Sequence, residues 1–392
     1  MHIGIDATSW SNERGFGRFT RGLLRALAAR DTGFRYTLLF DQPPEIPVPD
    51  GVETVVAGSS VALTDASKGA SRRSGSYLFG LSAAARRLDA DVFFYPAVYS
   101  WFPVLSRTPS IVCYHDTIPE RFPDLIFPTR RNEILWRLKT RAARAMQTRA
   151  MTVSRASADD LADILHIPRA RIDVVTEGAD EIFRPLPDET ARAAARARFD
   201  LPADAPLLLY VGGFNRHKNV IRLIEAMTPI LATRPDTRLA IVGRITGDRF
   251  WDNIDELQAG VSADARKAAQ ITFTGEIDDA DLAALTGAAD ALVFPSLYEG
   301  FGLPALEAMS CGTPVLASDA GSLPEILGGA GLLFDPTSAP AIADTVLRFL
   351  ADPALQADLR TRALRRAGDF GWDKAAALAE DAFRRTAGQQ ST

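Results

Sequence analysis

The sequence predicts an α/β protein made of two Rossmann-like domains, each with a parallel sheet. Three observations predict it. The chain has 392 residues, more than one ordinary hydrophobic core organises. Short, β-rich apolar runs alternate with amphipathic helical patterns along its whole length, as parallel strands covered on both faces require. The runs also fall into two sets of six, on either side of the Pro- and charge-rich stretch FRPLPDET (183–190).

The first set is HIGID (2–6), YTLLF (36–40), DVFFY (91–95), SIVCY (110–114), MTVS (151–154) and IDVV (172–175). After the first run, SNERGFGRFTRGLLRAL (11–27) leads into a helix. Gly15 and Gly17 permit close backbone approach there. Arg14, Arg18, Arg21 and Arg25 recur at helical spacing as one basic stripe, suited to an anionic acceptor, a membrane surface or plain solvation. A Gly/Ser-rich stretch at 59–76, with Lys68, Arg72 and Arg73, reads as a long loop. CYHDTIPERFP (113–123) sets His115 and Asp116 just past a buried strand.

The second set is PLLLYVGG (206–213), LAIVG (239–243), ITFTG (271–275), ALVFP (291–295), PVLAS (314–318) and GLLFD (331–335). NVIRLIEAMTPIL (219–231) reads as a helix with Val220, Leu223, Ile224, Met227, Ile230 and Leu231 on one face. A last helix, WDKAAALAEDAFRR (372–385), follows a break at Gly371. No repeat of about 20 to 50 residues is present.

Apolar residues make up 47% and charged residues 24%, an ordinary soluble composition. The two cysteines, Cys113 and Cys311, form neither a disulfide framework nor a metal-ligand spacing, which points to a reducing compartment. MHIGIDATSW begins as a strand without a basic or apolar leader pattern, and no apolar run approaches the ~18 residues that span a bilayer. A cytoplasmic protein is expected. The net charge of −5 hides an asymmetry: residues 1–180 hold 23 Lys+Arg and 20 Asp+Glu, residues 181–392 hold 21 and 29. A relatively basic first half fits a phosphate-bearing partner or an anionic membrane face, or uneven surface drift. No nucleic-acid partner is expected, and the oligomeric state is not encoded in any visible motif.

The most informative stretch is PSLYEGFGLPALEAMSCGTPVLAS (295–318). ALVFP is a buried strand and SLYEGFG a turn, with Gly300 and Gly302 supplying backbone freedom. Pro304 opens a helix where its missing N–H is harmless, and Gly312 stops it. Glu299 then lies on the loop beyond the strand's C-terminal end, where open parallel sheets bind ligands, and Glu307 lies in the helix's second turn. Free N–H groups of the turn and helix start suit a diphosphate. Carboxylates accept pairs of hydroxyls, as a sugar or a ribose offers. Two solvated acids at a helix start are the plain alternative.

This stretch resembles the signature of the retaining glycosyltransferases of family 4, which have the GT-B fold: two Rossmann-like domains with parallel sheets facing across a cleft. Glu299 and Glu307 match that family's E-x7-E motif. By this resemblance Glu299 binds donor-sugar hydroxyls, Glu307 the ribose, and the backbone at Gly300, Phe301, Gly302 and Leu303 the diphosphate. YVGGFNRHKN (210–219) resembles the segment whose basic pair clamps the diphosphate. Lys218 matches, but Gly213 stands where many members have Arg, so Arg216 or His217 is the candidate second charge. His115 matches the active-site His, facing the donor sugar across the cleft. The Gly15–Gly17 loop matches one that approaches donor phosphate or acceptor. In VVTEGADEIFRP (174–185), Glu177 stands where the family usually has Asn. In FTGEIDDADL (273–282) the backbone at Glu276 and Ile277 is implied to meet the base. The implied domains are 1–185, on the acceptor side, and 186–371, for the nucleotide sugar, with the terminal helix (372–390) crossing back onto the first.

The resemblance implies a retaining hexosyl transfer from a nucleotide-diphosphate sugar, GDP-mannose first and a UDP-sugar second. The acceptor is a saccharide or a lipid-linked saccharide met at the cytoplasmic membrane face. No metal or other cofactor is expected, because Asp89-Ala90-Asp91 reads as a helix end rather than as a metal-binding D-x-D. Lys218, a basic neighbour and the helix start instead stabilise the leaving group. Front-face substitution leaves Glu299 and His115 to orient the sugar. Three rivals are an epimerase of the same architecture, a catalytically dead sugar-nucleotide binding protein and an NAD-dependent oxidoreductase. For the last, Gly15-x-Gly17 and Asp41 give a partial fingerprint with Thr20 at the third glycine.

Overall fold

The computed structural model describes residues 1–12, 15–57, 75–244, 253–262 and 264–388. Most of the 59–76 stretch, with Lys68, Arg72 and Arg73, and also Arg14, lie outside the described residues. The chain divides into two compact units. The first comprises Met1–Glu120, Thr129–Gly178 and Gly371–Thr392; the second comprises Arg121–Pro128 and Ala179–Phe370.

The first unit holds β1 (His2–Asp6), β2 (Arg35–Phe40), β3 (Glu53–Val56), β4 (Val92–Tyr95), β5 (Ser110–Cys113), β6 (Arg149–Thr152) and β7 (Ile172–Val174). They form one sheet in the order β3-β2-β1-β4-β5-β6-β7, every pair parallel. β1 is buried along its whole length, because helices cover both faces. β3 is the one strand the sequence reading missed. ETVV lies at the sheet edge and is largely exposed, so it lacks the apolar run that marks the others.

The helix Trp372–Gly388 completes this unit by packing on the helix Gly15–Ala29. A Cβ at Gly22 would come within 2.4 Å of the Trp372 ring, and one at Gly178 within 2.5 Å of the Trp372 backbone nitrogen. Glycine is required at both places by close approach. Phe383, fully buried, meets Phe94 edge-on at 5.5 Å, and Arg30 and Arg385 pair with Glu380 and Asp173, both at 2.9 Å.

The second unit holds β8 (Leu207–Val211), β9 (Arg238–Val242), β10 (Ile271–Gly275), β11 (Ala291–Phe294), β12 (Val315–Ser318) and β13 (Gly331–Phe334). Their order is β10-β9-β8-β11-β12-β13, again all parallel. The helix Val220–Thr233 buries all six apolar residues expected on its inner face. At the N-terminal end of the strands, Arg192 and Arg196 both bind Asp290, at 2.5 and 3.0 Å, and Asp290 also accepts from the Leu207 N–H at 2.8 Å. The starts of β8 and β11 are thereby fixed, and the opposite ends of the same strands carry the candidate site.

Candidate functional site

In each sheet the strand order reverses once, between β1 and β4 and between β8 and β11. Loops leaving the C-terminal ends of such strands part there and leave a crevice for a ligand. In the second unit these loops bring Lys218 and Glu299 together. Lys218 ends the short 3-10 turn Arg216–Lys218 after β8, and its Nζ donates to both carboxylate oxygens of Glu299, at 2.8 and 3.0 Å. The side chains are only 21% and 9% exposed, which makes the pair stronger and more interdependent than a surface ion pair.

The pair rests on groups the sequence reading gave no role. Asn219, left-handed at φ +58°, donates from Nδ2 to the carbonyls of Pro295 (3.0 Å) and Pro336 (2.7 Å), tying the Lys218 turn to the ends of β11 and β13. Ser322 donates from N and Oγ to the Glu299 carbonyl, both at 3.1 Å, and from Oγ to the Phe301 carbonyl at 2.8 Å. Gly321 sits so close that a Cβ would lie 2.6 Å from the Glu299 carbonyl oxygen. The only advance signal was the Gly-Ser pair before LPEIL.

Gly300 and Phe301 are buried, and Phe301 packs edge-on against Phe370 at 5.7 Å. Gly302 caps the helix Leu303–Ser310 with φ +94°, a left-handed conformation that favours glycine. The helix starts at Leu303, so Pro304 is its second residue rather than its first. Among the described residues the N–H groups of Phe301, Gly302 and Leu303 donate to no protein acceptor, which leaves a cluster of donors at a helix N-terminus, the arrangement that receives phosphate. Glu307 is 2% exposed within this helix.

The two candidates for a second charge differ. His217 is buried, and burial followed by the charge of Lys218 pushes its pKa down to about 3. Its ring is neutral near pH 7 and supplies no charge. Arg216 is half-exposed and pairs with Glu256 at 3.2 Å. Glu276 is exposed beyond β10, 3.5 Å from Arg244, and Ile277 follows it toward the next helix. Asp91, of the D-x-D spelling, accepts the backbone N–H of His2 at 2.7 Å and so holds the start of the first sheet.

In the first unit His115 follows β5. Its Nε2 lies 2.9 Å from the Pro96 carbonyl beyond β4, and its Nδ1 3.8 Å from Glu177 beyond β7. Phe19 meets the imidazole edge-on at 4.8 Å. An aromatic row leads away from it: Phe16 at 6.5 Å, then Tyr99 stacked on Phe16 at 5.5 Å, then Trp136 at 5.1 Å from Tyr99. Gly15 opens its helix with open space around it, but a Cβ at Gly17 would collide with the Asn12 carbonyl. Gly17 is thus accounted for by the chain's own packing. Arg21 is likewise committed, donating to the carbonyls of Trp10 (2.5 Å) and Asn12 (2.9 Å), so the Arg stripe is not one continuous basic face.

Two doubly wound parallel sheets, each reversing its strand order once, are the make-up of the GT-B fold. Two family models match in succession, Glycosyltransferase Family 4 over residues 14–181 and Glycosyl transferases group 1 over residues 191–366. The chain belongs to the group 1 glycosyltransferase family. It is 37% identical over 178 residues to the O-antigen chain mannosyltransferase B of Escherichia coli, a match covering 45% of each chain. It spans about half the length of the curated relatives it matches. Among solved structures, the sucrose-phosphate synthase of Thermosynechococcus elongatus superposes with a TM-score of 0.79 at 24% identity, over 98% of both chains. Anabaena HepE in complex with UDP and glucose gives a TM-score of 0.75 at 18% identity, over 98% of this chain and 100% of that one.

Proposed function

We propose that this chain is a retaining, metal-independent glycosyltransferase that moves a hexosyl group from a nucleotide-diphosphate sugar to a saccharide or lipid-linked saccharide. The observation that carries the reading is the Lys218–Glu299 pair at the β8/β11 switch point, beside the helix start at Gly302. As the glycosidic bond breaks, negative charge collects on the departing diphosphate. The Lys218 ammonium and the N–H groups of Phe301, Gly302 and Leu303 are the matched positive groups. Arg216 is the candidate second cation. Glu299, held by Lys218 and Ser322, accepts hydroxyls of the sugar, and Glu307 those of the ribose. Glu299 and Glu307 both belong to the second unit and so approach the donor from one side, which favours front-face substitution, in which the donor phosphate takes the acceptor proton.

Mannose is the first sugar to test, because the E. coli relative is named a mannosyltransferase; a UDP-sugar is the second, because HepE binds UDP and glucose. Thermal shifts with GDP, UDP, ADP and TDP and their sugars decide it. A donor at a hundred times its Kd stabilises by about 2.7 kcal/mol, and GDP-mannose is expected to give the largest rise. A UDP-sugar in first place replaces the donor, and no shift with any of them rejects the reading. Product analysis without acceptor separates epimerisation from transfer.

A lipid-linked acceptor is favoured by the helix Arg130–Met146 of the first unit. Ile134, Leu135 and Leu138 on it are 50%, 56% and 59% exposed, an apolar strip that water solvates poorly. Arg130, Arg131, Arg137, Lys139, Arg141 and Arg144 accompany a single acid, Glu133. The apolar strip and its basic flanks are the make-up of a helix lying in an anionic membrane surface. A second copy of the chain fits less well, since it would oppose like charges. Among the described residues no helix is long and apolar enough to cross a membrane, so contact would be peripheral. Sedimentation with phosphatidylglycerol vesicles tests this. The I134S/L135S/L138S protein is expected to bind about tenfold less or weaker still, and phosphatidylcholine vesicles to capture neither. Equal capture of both proteins, or a concentration-dependent dimer abolished by the triple change, removes the membrane reading.

A further inference from the structure

Glu177 stands where the family usually has Asn, and the reaction as read above leaves it without a role. It is 4% exposed and directed at His115. The Pro96 carbonyl, 2.9 Å from Nε2, can only accept, so Nε2 carries a proton. The Glu177 carboxylate, 3.8 Å from Nδ1, when ionised can also only accept. Both ring nitrogens therefore face acceptors, Nε2 at hydrogen-bond distance and Nδ1 at ion-pair distance, an arrangement that suits the doubly protonated imidazolium. A neutral ring would turn its lone pair toward the carboxylate.

The remaining neighbours do not cancel this. Phe16 and Phe19, from the helix Gly15–Ala29, bring uncharged rings, and the Phe19 ring stands nearly perpendicular to the imidazole. Cys113, at the end of the same strand, lies 3.9 Å from Nε2. Ser157 donates its hydroxyl to the His115 carbonyl at 3.2 Å. Asp116 accepts the Ile118 N–H at 2.9 Å, and Asp160 accepts the Thr117 hydroxyl at 2.8 Å. No cation is recorded against the imidazole among the described residues. Burial is the largest influence and opposes a charge; Cys113 and Glu177 push the His115 pKa upward against it, and because Cys113 brings a charge only as a thiolate, the carboxylate that favours the imidazolium is Glu177. Gly178, wedged against Trp372, fixes the backbone immediately after Glu177.

We propose that Glu177 is a positioning residue that holds His115 as an oriented imidazolium, so that in this chain His115 serves the transfer as a fixed positive donor and not as a proton acceptor. The proposal rests on the glycosyltransferase reading for its consequence in catalysis, but the charge on His115 can be measured without turnover. The sign follows from linkage. A raised folded-state pKa gives stability that is complete below the unfolded value of about 6.5 and is lost as pH climbs through the folded value. Activity carried by the imidazolium declines over the same alkaline interval.

The experiment follows the His115 ring protons by NMR across pH in the wild-type, Glu177→Gln and Glu177→Asp proteins, alongside pH profiles of kcat/KM. The wild-type ring is expected to stay charged through neutral pH. Glu177→Gln, nearly isosteric, should bring its titration down toward that of a free histidine and lower the activity at about pH 9 relative to about pH 6 by about tenfold. Glu177→Asp should restore much of both, which a merely structural defect would not do. A wild-type His115 that titrates as an ordinary histidine, or a titration unmoved in Glu177→Gln, overturns the proposal while leaving the transferase reading intact. A charged His115 in a protein that transfers no sugar overturns the transferase reading instead.

Discussion

Lys218→Ala is expected to lower turnover by about a thousandfold, equivalent to about 4 kcal/mol of lost transition-state stabilisation. On the proposed reading the residue supplies positive charge at the switch point, its side chain only 21% exposed, to meet the leaving diphosphate. Stability gives a second readout. Removing the ammonium leaves the Glu299 carboxylate, 9% exposed, without the partner that holds both its oxygens, and a deprived buried charge costs about 3 kcal/mol or more. The double variant Lys218→Met with Glu299→Gln removes both charges and is expected to recover most of that stability while remaining inactive. Denaturant titration and initial rates on the three proteins check both halves. Near-normal rates in Lys218→Ala would end the assignment.

Gly321→Val is expected to reduce turnover by about a hundredfold without altering any group that touches substrate. Gly321 has φ +59°, which a β-branched residue adopts only under strain of about 1–3 kcal/mol. Its new Cβ would also meet backbone, 2.6 Å from the Glu299 carbonyl oxygen and 2.9 Å from the Glu299 nitrogen. Backbone cannot swing aside as a side-chain tip can, so the loop carrying Glu299 must shift. A displacement of about 1 Å at a positioning group costs about a hundredfold in rate. The kcat should fall more than donor affinity, since the Lys218 turn and the helix start are untouched. Unchanged kcat with a folded protein would mean that the placement of Glu299 is not critical.

The two sheets were legible because their strands are buried on both faces. LLLYV and ALVF read as continuous apolar runs, whereas the edge strand ETVV, wetted on one side, did not. The inner face of Val220–Thr233 was equally plain, since 3.6-residue periodicity records burial directly. The environment of the site was less visible. That Lys218 and Glu299, 81 residues apart, would bond is a consequence of the β8–β11 pairing, which no local pattern encodes. Burial of His217, which removes its charge, follows from the turn around it rather than from its type. The holding roles of Asn219 and Ser322 depend on carbonyls from distant loops, and the reason for Gly17 is a collision with Asn12 that spacing does not reveal.

The packing of Trp372 onto Gly22 and Gly178 has a consequence for synthesis. The ribosome makes residues 179–370, nearly the entire second unit, before it makes the helix that closes the first. At about 5–20 residues per second, the groove beside Gly22 and the Phe94 ring wait on the order of ten seconds or more for their cover. Vectorial production therefore reverses the usual order: the later-made lobe can mature first, and the earlier one stays open to chaperones until translation has passed Phe383.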